Sequence, residues 1–148
     1  MIRLDKIKAT AHLVSFTFAT DLENGRVVAL GDLQADGEAY TAKAPADVAK
    51  DIMVLHASVP MNYNEAELEE DFKLKAGSKG RGYILESGDI FTITDDNFAA
   101  APVLNDIVEP AVGDTKLAKT EAPATKLAGK VIAKDMLNGI KASVVQVL

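Results

Sequence analysis

Leu13-Val14-Ser15-Phe16-Thr17-Phe18-Ala19 places Val14, Phe16 and Phe18 on one side of an extended chain and Leu13, Ser15 and Thr17 on the other. This period-two alternation is what a strand with one buried face requires. Downstream, Asn24-Gly25 tolerates positive φ, and Arg26-Val27-Val28-Ala29-Leu30 supplies a second β-branched run, so the reading is two strands joined as a looped hairpin. Gly31-Asp32 and Asp36-Gly37 then bracket a turn before a short strand over 38–43 that stops at Ala44-Pro45. Ile52-Met53-Val54-Leu55 is apolar on both faces and reads as a central strand.

The second half repeats the pattern. Tyr83-Ile84-Leu85 and Ile90-Phe91-Thr92-Ile93-Thr94 flank Glu86-Ser87-Gly88-Asp89 and suggest another hairpin. Lys130-Val131-Ile132-Ala133 and the run from Ala142 to Leu148 are strands on either side of an Asn138-Gly139 turn. The best helix candidate is 64–72, with Asn64 able to cap, Glu67 three residues later, and Leu68 and Phe72 on one face. Residues 113–129 are polar and turn-prone, which predicts an extended loop or arm. The expected fold is therefore mainly β: a single compact antiparallel domain over 1–148, barrel or sandwich, with one or two short helices.

At 148 residues and 48% hydrophobic, the chain can bury one core. Aromatics supply only 5% of it, so that core must be aliphatic. A net charge of −6, from 22 acidic and 16 basic residues, argues against a nucleic-acid partner, because neutralising phosphates needs a cationic surface. Zero cysteines exclude disulfides, thiol nucleophiles and thiolate metal sites. No apolar stretch approaches the roughly 20 residues that span a bilayer, and residues 1–8 intersperse charges where a signal peptide would be apolar. A membrane partner is not expected, and synthesis in the cytoplasm is.

Chemistry-bearing patterns are sparse. His12 and His56 have no second histidine or cysteine at metal-ligand spacing, and both read as strand-end residues satisfied by solvent or backbone. The acidic set from Glu65 to Asp71 and Asp95-Asp96-Asn97 lack the spacing of a calcium loop, so no metal site is assigned. No nucleophile elbow or cofactor fingerprint occurs, so neither catalytic nor cofactor-binding residues are assigned. Gly77-Ser78-Lys79-Gly80-Arg81-Gly82 is glycine-rich and basic but fits neither phosphate-binding template. It reads as a flexible loop that docks onto an acidic partner or simply joins two elements. A strand that ends the chain must pair with its own sheet or with a neighbour's edge. The candidate partner-binding residues are thus Gly77, Lys79, Gly80 and Arg81, together with Val144, Val145, Val147 and Leu148.

The segments 24–31 and 81–94 and the Val/Ile-rich C-terminus together resemble small structural proteins of tailed bacteriophages, those that decorate or brace the head. The resemblance implies a non-enzymatic virion protein whose partner is the major capsid protein, with copies able to associate on the capsid surface. A tail or connector component is the alternative within that class. A small ligand-binding or enzymatic β domain is the alternative outside it, since catalytic groups gathered from separate strands leave no local trace.

Overall fold

The structure, a computed structural model, describes residues 1–8, 12–60 and 71–148. Thirteen strands run through these residues: β1 Ile2–Lys6, β2 His12–Thr17, β3 Leu22–Glu23, β4 Val27–Leu33, β5 Tyr40–Lys43, β6 Met53–His56, β7 Lys73–Leu74, β8 Lys79–Ile84, β9 Ile90–Thr94, β10 Ile107–Pro110, β11 Leu117–Lys119, β12 Gly129–Leu137 and β13 Ile140–Val147. A short 3₁₀ turn covers Asp95–Asn97. Most of the expected helix over 64–72 lies outside the described residues.

Five strands close into a barrel in the order β2-β5-β4-β6-β8, and six form a sheet in the order β1-β9-β13-β12-β10-β11. The fold is thus mainly β, with one layer closed and one open. Strands β4 and β6 join the layers. Val28 and Val54 point into the barrel with Phe16, Leu22 and Leu74, while Val27, Ala29, Met53 and Leu55 face Phe91, Ile93, Val131, Val145 and Val147 of the sheet. This two-sided burial explains the unbroken apolar runs, because side chains alternate faces along a strand.

Two expected hairpins do not form, although their strands do. Strand β2 pairs with β8 and, in parallel, with β5, whereas β4 pairs with β5 and β6. The chain leaves β2 through β3, which pairs with β7, so β4 enters the barrel from elsewhere. Likewise β8 belongs to the barrel and β9 to the sheet. The turn between them, closed by Asp89 N–H to the Glu86 carbonyl at 3.0 Å with Gly88 at φ 92, carries the chain across layers. Local turn chemistry reads correctly here, but pairing is decided by which core each apolar face enters.

The C-terminal hairpin forms as read, with Asn138 at φ 48 and Gly139 at φ 80 as the mirror-type turn that matches strand twist. Its placement corrects the expectation of an edge. Strand β13 lies between β9 and β12, Val145 and Val147 are core residues, Val144 is half-buried, and only Leu148 is well exposed. Both sides of β13 are already hydrogen-bonded, so it has no edge to lend to a partner. Removing the last seven residues would take out a central strand and unfold the sheet rather than release a contact.

Residues 113–129 also carry more structure than an arm. They contain β11, paired with β10, and they bury Leu117, Leu127 and Ala128.

Candidate functional site

The glycine-rich stretch over 77–82 is a turn followed by β8. Gly77 sits at φ 74 and donates its N–H to the Phe18 carbonyl at 2.9 Å. Gly80 and Gly82 face inward because Phe16 lies across the barrel. A Cβ at Gly80 would overlap Leu74, and one at Gly82 would stand 3.0 Å from Val54 Cβ and 3.3 Å from Phe16 Cδ1. Gly80 and Gly82 therefore serve packing within a strand, which corrects the reading of Gly80 as part of a flexible docking loop, whereas Gly77, where a Cβ would meet nothing within 4 Å, serves the positive φ of the turn.

The two cations of β8 point outward and differ. Lys79 is engaged by Glu38, with Asp36 at 3.6 Å, and the hydrogen bond to Glu38 holds its ammonium above the usual lysine range. Arg81 makes no side-chain ion pair with any described residue, while its backbone N–H donates to Ser58 Oγ at 2.9 Å. Arg81 lines an open depression of about 350 Å³ with Ser15, Ser58, Val59, Lys79 and Gly80. Leu13, 55% exposed, belongs to β2 opposite Tyr83, and Val59, 57% exposed, follows β6.

Beneath this face lies a buried polar lock. His56 is fully buried, its Nδ1 pairs with the Glu23 carbonyl at 2.8 Å, and its Nε2 pairs with Ser58 Oγ at 2.8 Å. The carbonyl requires a proton on Nδ1, leaving Nε2 to accept from the Ser58 hydroxyl. Asn24 completes the lock, donating to the Ser58 carbonyl at 2.9 Å and accepting from its N–H at 2.8 Å. Phe16 meets the imidazole edge-on, with centroids 5.4 Å apart. Burial lowers the His56 pKa to about 4, against a smaller opposing effect of the Glu23 carbonyl.

A serine hydroxyl on a neutral imidazole is the first half of a nucleophile and base pair. Here the third partner is a carbonyl with no charge to stabilise an imidazolium, so the arrangement favours holding the β3–β4 turn against β6 over moving a proton. The sequence gives no warning of it, because Asn24, His56 and Ser58 meet only through the barrel.

Other polar clusters are ion-paired. Burial raises the Glu23 carboxyl, but Arg26 at 2.5 Å and Lys73 at 3.5 Å outweigh it and hold it below the usual carboxylate range. Glu23, Arg26 and Lys73 line a depression of about 460 Å³ that is open to solvent. Lys134 Nζ donates to both Asp95 oxygens and to the Pro102 carbonyl at 3.0 Å, and to Ser143 Oγ at 2.6 Å. Among the described residues, no three His, Asp or Glu side chains converge as metal ligands.

Compared with protein-family models, curated proteins and solved structures, the chain matches none.

Proposed function

We propose that the chain is a virion structural protein of a tailed bacteriophage that binds the major capsid protein and stabilises or decorates the head. The observation that carries the reading is the outer barrel face. Arg81, without a carboxylate partner among the described residues, sits on a strand braced by a buried lock, beside exposed Leu13 and Val59. Rigidly mounted apolar and cationic groups around a shallow hollow suit a protein surface better than an enclosed small molecule.

Function of this kind comes from contact area repeated over many copies, each burying apolar surface at its interface. No catalytic or cofactor-binding residue is assigned. The phage identity rests on the sequence resemblance, and the localisation that follows is the virion. Quantitative mass spectrometry of purified particles tests it: a fixed ratio to the shell protein in DNA-filled heads is expected. A fixed ratio in isolated tails or connectors instead would move the protein to that part of the particle, and absence from particles would overturn the reading.

A further inference from the structure

The main-chain groups of β2 reveal a docking edge. Arg81 turns both of its backbone groups toward β6: its N–H goes to Ser58 Oγ at 2.9 Å and its carbonyl accepts from Ala57 N–H at 3.0 Å. Ser15 stands opposite Arg81 in the antiparallel ladder, and Leu13 opposite Tyr83. In such a ladder, a residue facing one whose groups turn away also turns its own away, and the pattern repeats every second residue. Leu13 and Ser15 therefore direct their N–H groups, and Leu13 its carbonyl, to the far side of β2. Strand β5 occupies that side only at Phe16 and Thr17. Among the described residues, none outside the β2–β8 ladder bonds the Leu13 backbone or the Ser15 N–H.

The side chains beside this edge indicate what it takes. Leu13 is 55% exposed and Ser15 is small and exposed, so an incoming strand would meet one apolar residue and one low barrier. Behind Ser15 lies Arg81, the cation of β8 that no described carboxylate engages. The neighbouring sheet shows that an arginine can span such a distance: Arg3 of β1 lies 3.3 Å from Thr92 Oγ1 and 2.8 Å from Asp135 Oδ2 on β12, two strands beyond β9.

We propose that the β2 edge accepts a short extended segment of a partner protein by strand addition, with a carboxylate of that segment reaching across Ser15 to Arg81. Main-chain bonds to Leu13 and Ser15 supply the register, and the charge pair supplies the choice of sequence. The inference deepens the assembly reading and rests on it, since it names the chemistry of the partner segment.

The test uses the isotope-labelled full chain and two short blocked peptides of alternating valine and threonine, one with a central glutamate and one with a central lysine. The glutamate peptide should protect the Leu13 and Ser15 amides from hydrogen exchange and bind about tenfold more tightly than the lysine peptide. Arg81→Glu, an exposed substitution that leaves the fold intact, should reverse that order. Unchanged exchange at both amides with either peptide, or equal binding of the two, would overturn the proposal. Cosedimentation of the unmodified chain with phage heads separates this from the wider reading. Head binding without any peptide effect would remove the edge and keep the assembly function, whereas peptide binding without head binding would do the reverse.

Discussion

Two of the uncovered edges among the described strands, on β2 and on β12, are treated in opposite ways. Strand β10 covers β12 only at Gly129 and Lys130, and Asn105 and Asp106 extend the cover to Val131. Beyond that point β12 runs on to Leu137 with no described strand outside it. It is nevertheless guarded. The ladder carries a bulge between Val131 and Ala133, Lys134 folds back onto Asp95 and Ser143, and Asp135 Oδ1 accepts the Met136 N–H at 2.8 Å. Bulges, charges turned inward and capped donors are how sheets avoid unwanted pairing. Strand β2 has no bulge in its ladder with β8 and no charged side chain between Leu13 and Thr17. A chain that protects one edge with three devices and leaves another plain points to the plain one as the place of contact.

The most damaging way to break this contrast is to remove what holds β2 straight. Phe16 is fully buried and fills the barrel against Gly80, Gly82 and His56. Phe16→Ala should cost about 3–5 kcal/mol, read as a lower urea midpoint at unchanged slope. Amide exchange should accelerate in β2 and β8 before it does in β12, because the sheet keeps its own core.

Acid should separate the two edges next. His56 is held neutral by burial, with its pKa lowered from 6.5 to about 4, so between those values the unfolded chain binds the additional proton. Its contribution is therefore complete above pH 6.5 and declines as pH falls toward 4, by up to about 3 kcal/mol. The Asp135 carboxyl is held below its usual range by Arg3 first and the Met136 N–H second, so it acts only at lower pH, as it becomes protonated in the folded chain. Denaturation at a series of pH values should show the first decline in the unmodified chain and lose it in His56→Gln. A slope unchanged by that substitution would remove His56 from the account.

How much of this was legible in sequence follows from where each signal resides. Alternation from Leu13 to Ala19 announced β2, and Asn138-Gly139 announced the β12–β13 hairpin, because both depend on neighbours in the chain. The pairing of β2 with β8 and β5 was not legible, since it depends on Phe16 meeting glycines more than sixty positions away. For the same reason Gly80 and Gly82 looked like a loop, and the terminal strand, apolar and last in the chain, looked like an edge. Arg81 was identified by its charge. That it differs from Lys79 required seeing Glu38 and Asp36 brought beside the lysine by the turn before β5.

On the guarded edge, Lys134→Met should cost about 1–3 kcal/mol, because it takes the cation away from Asp95, whose side chain is only 15% exposed and which then keeps the Ser143 hydroxyl, 2.7 Å away, but no charge partner. The loss should appear as a lower urea midpoint with faster exchange confined to β12 and the segment around Pro102. Loss spread equally over the barrel would mean that Lys134 supports the whole fold rather than its own edge.

The smallest change in stability tests the contrast most directly. Asp135 is exposed, and Asp135→Ala removes one surface ion pair with Arg3, so the urea midpoint should scarcely move. It also uncaps the Met136 N–H beside the exposed Met136 and Ile140 side chains. If that carboxylate is a guard, the variant should self-associate as concentration rises, seen by sedimentation velocity, while the unmodified chain under the same conditions does not. The new contact should protect amides in β12 and leave Leu13 and Ser15 exchanging as before. A variant that stays monomeric would show that the bulge and Lys134 suffice, and would narrow the difference between the two edges to backbone shape and one lysine.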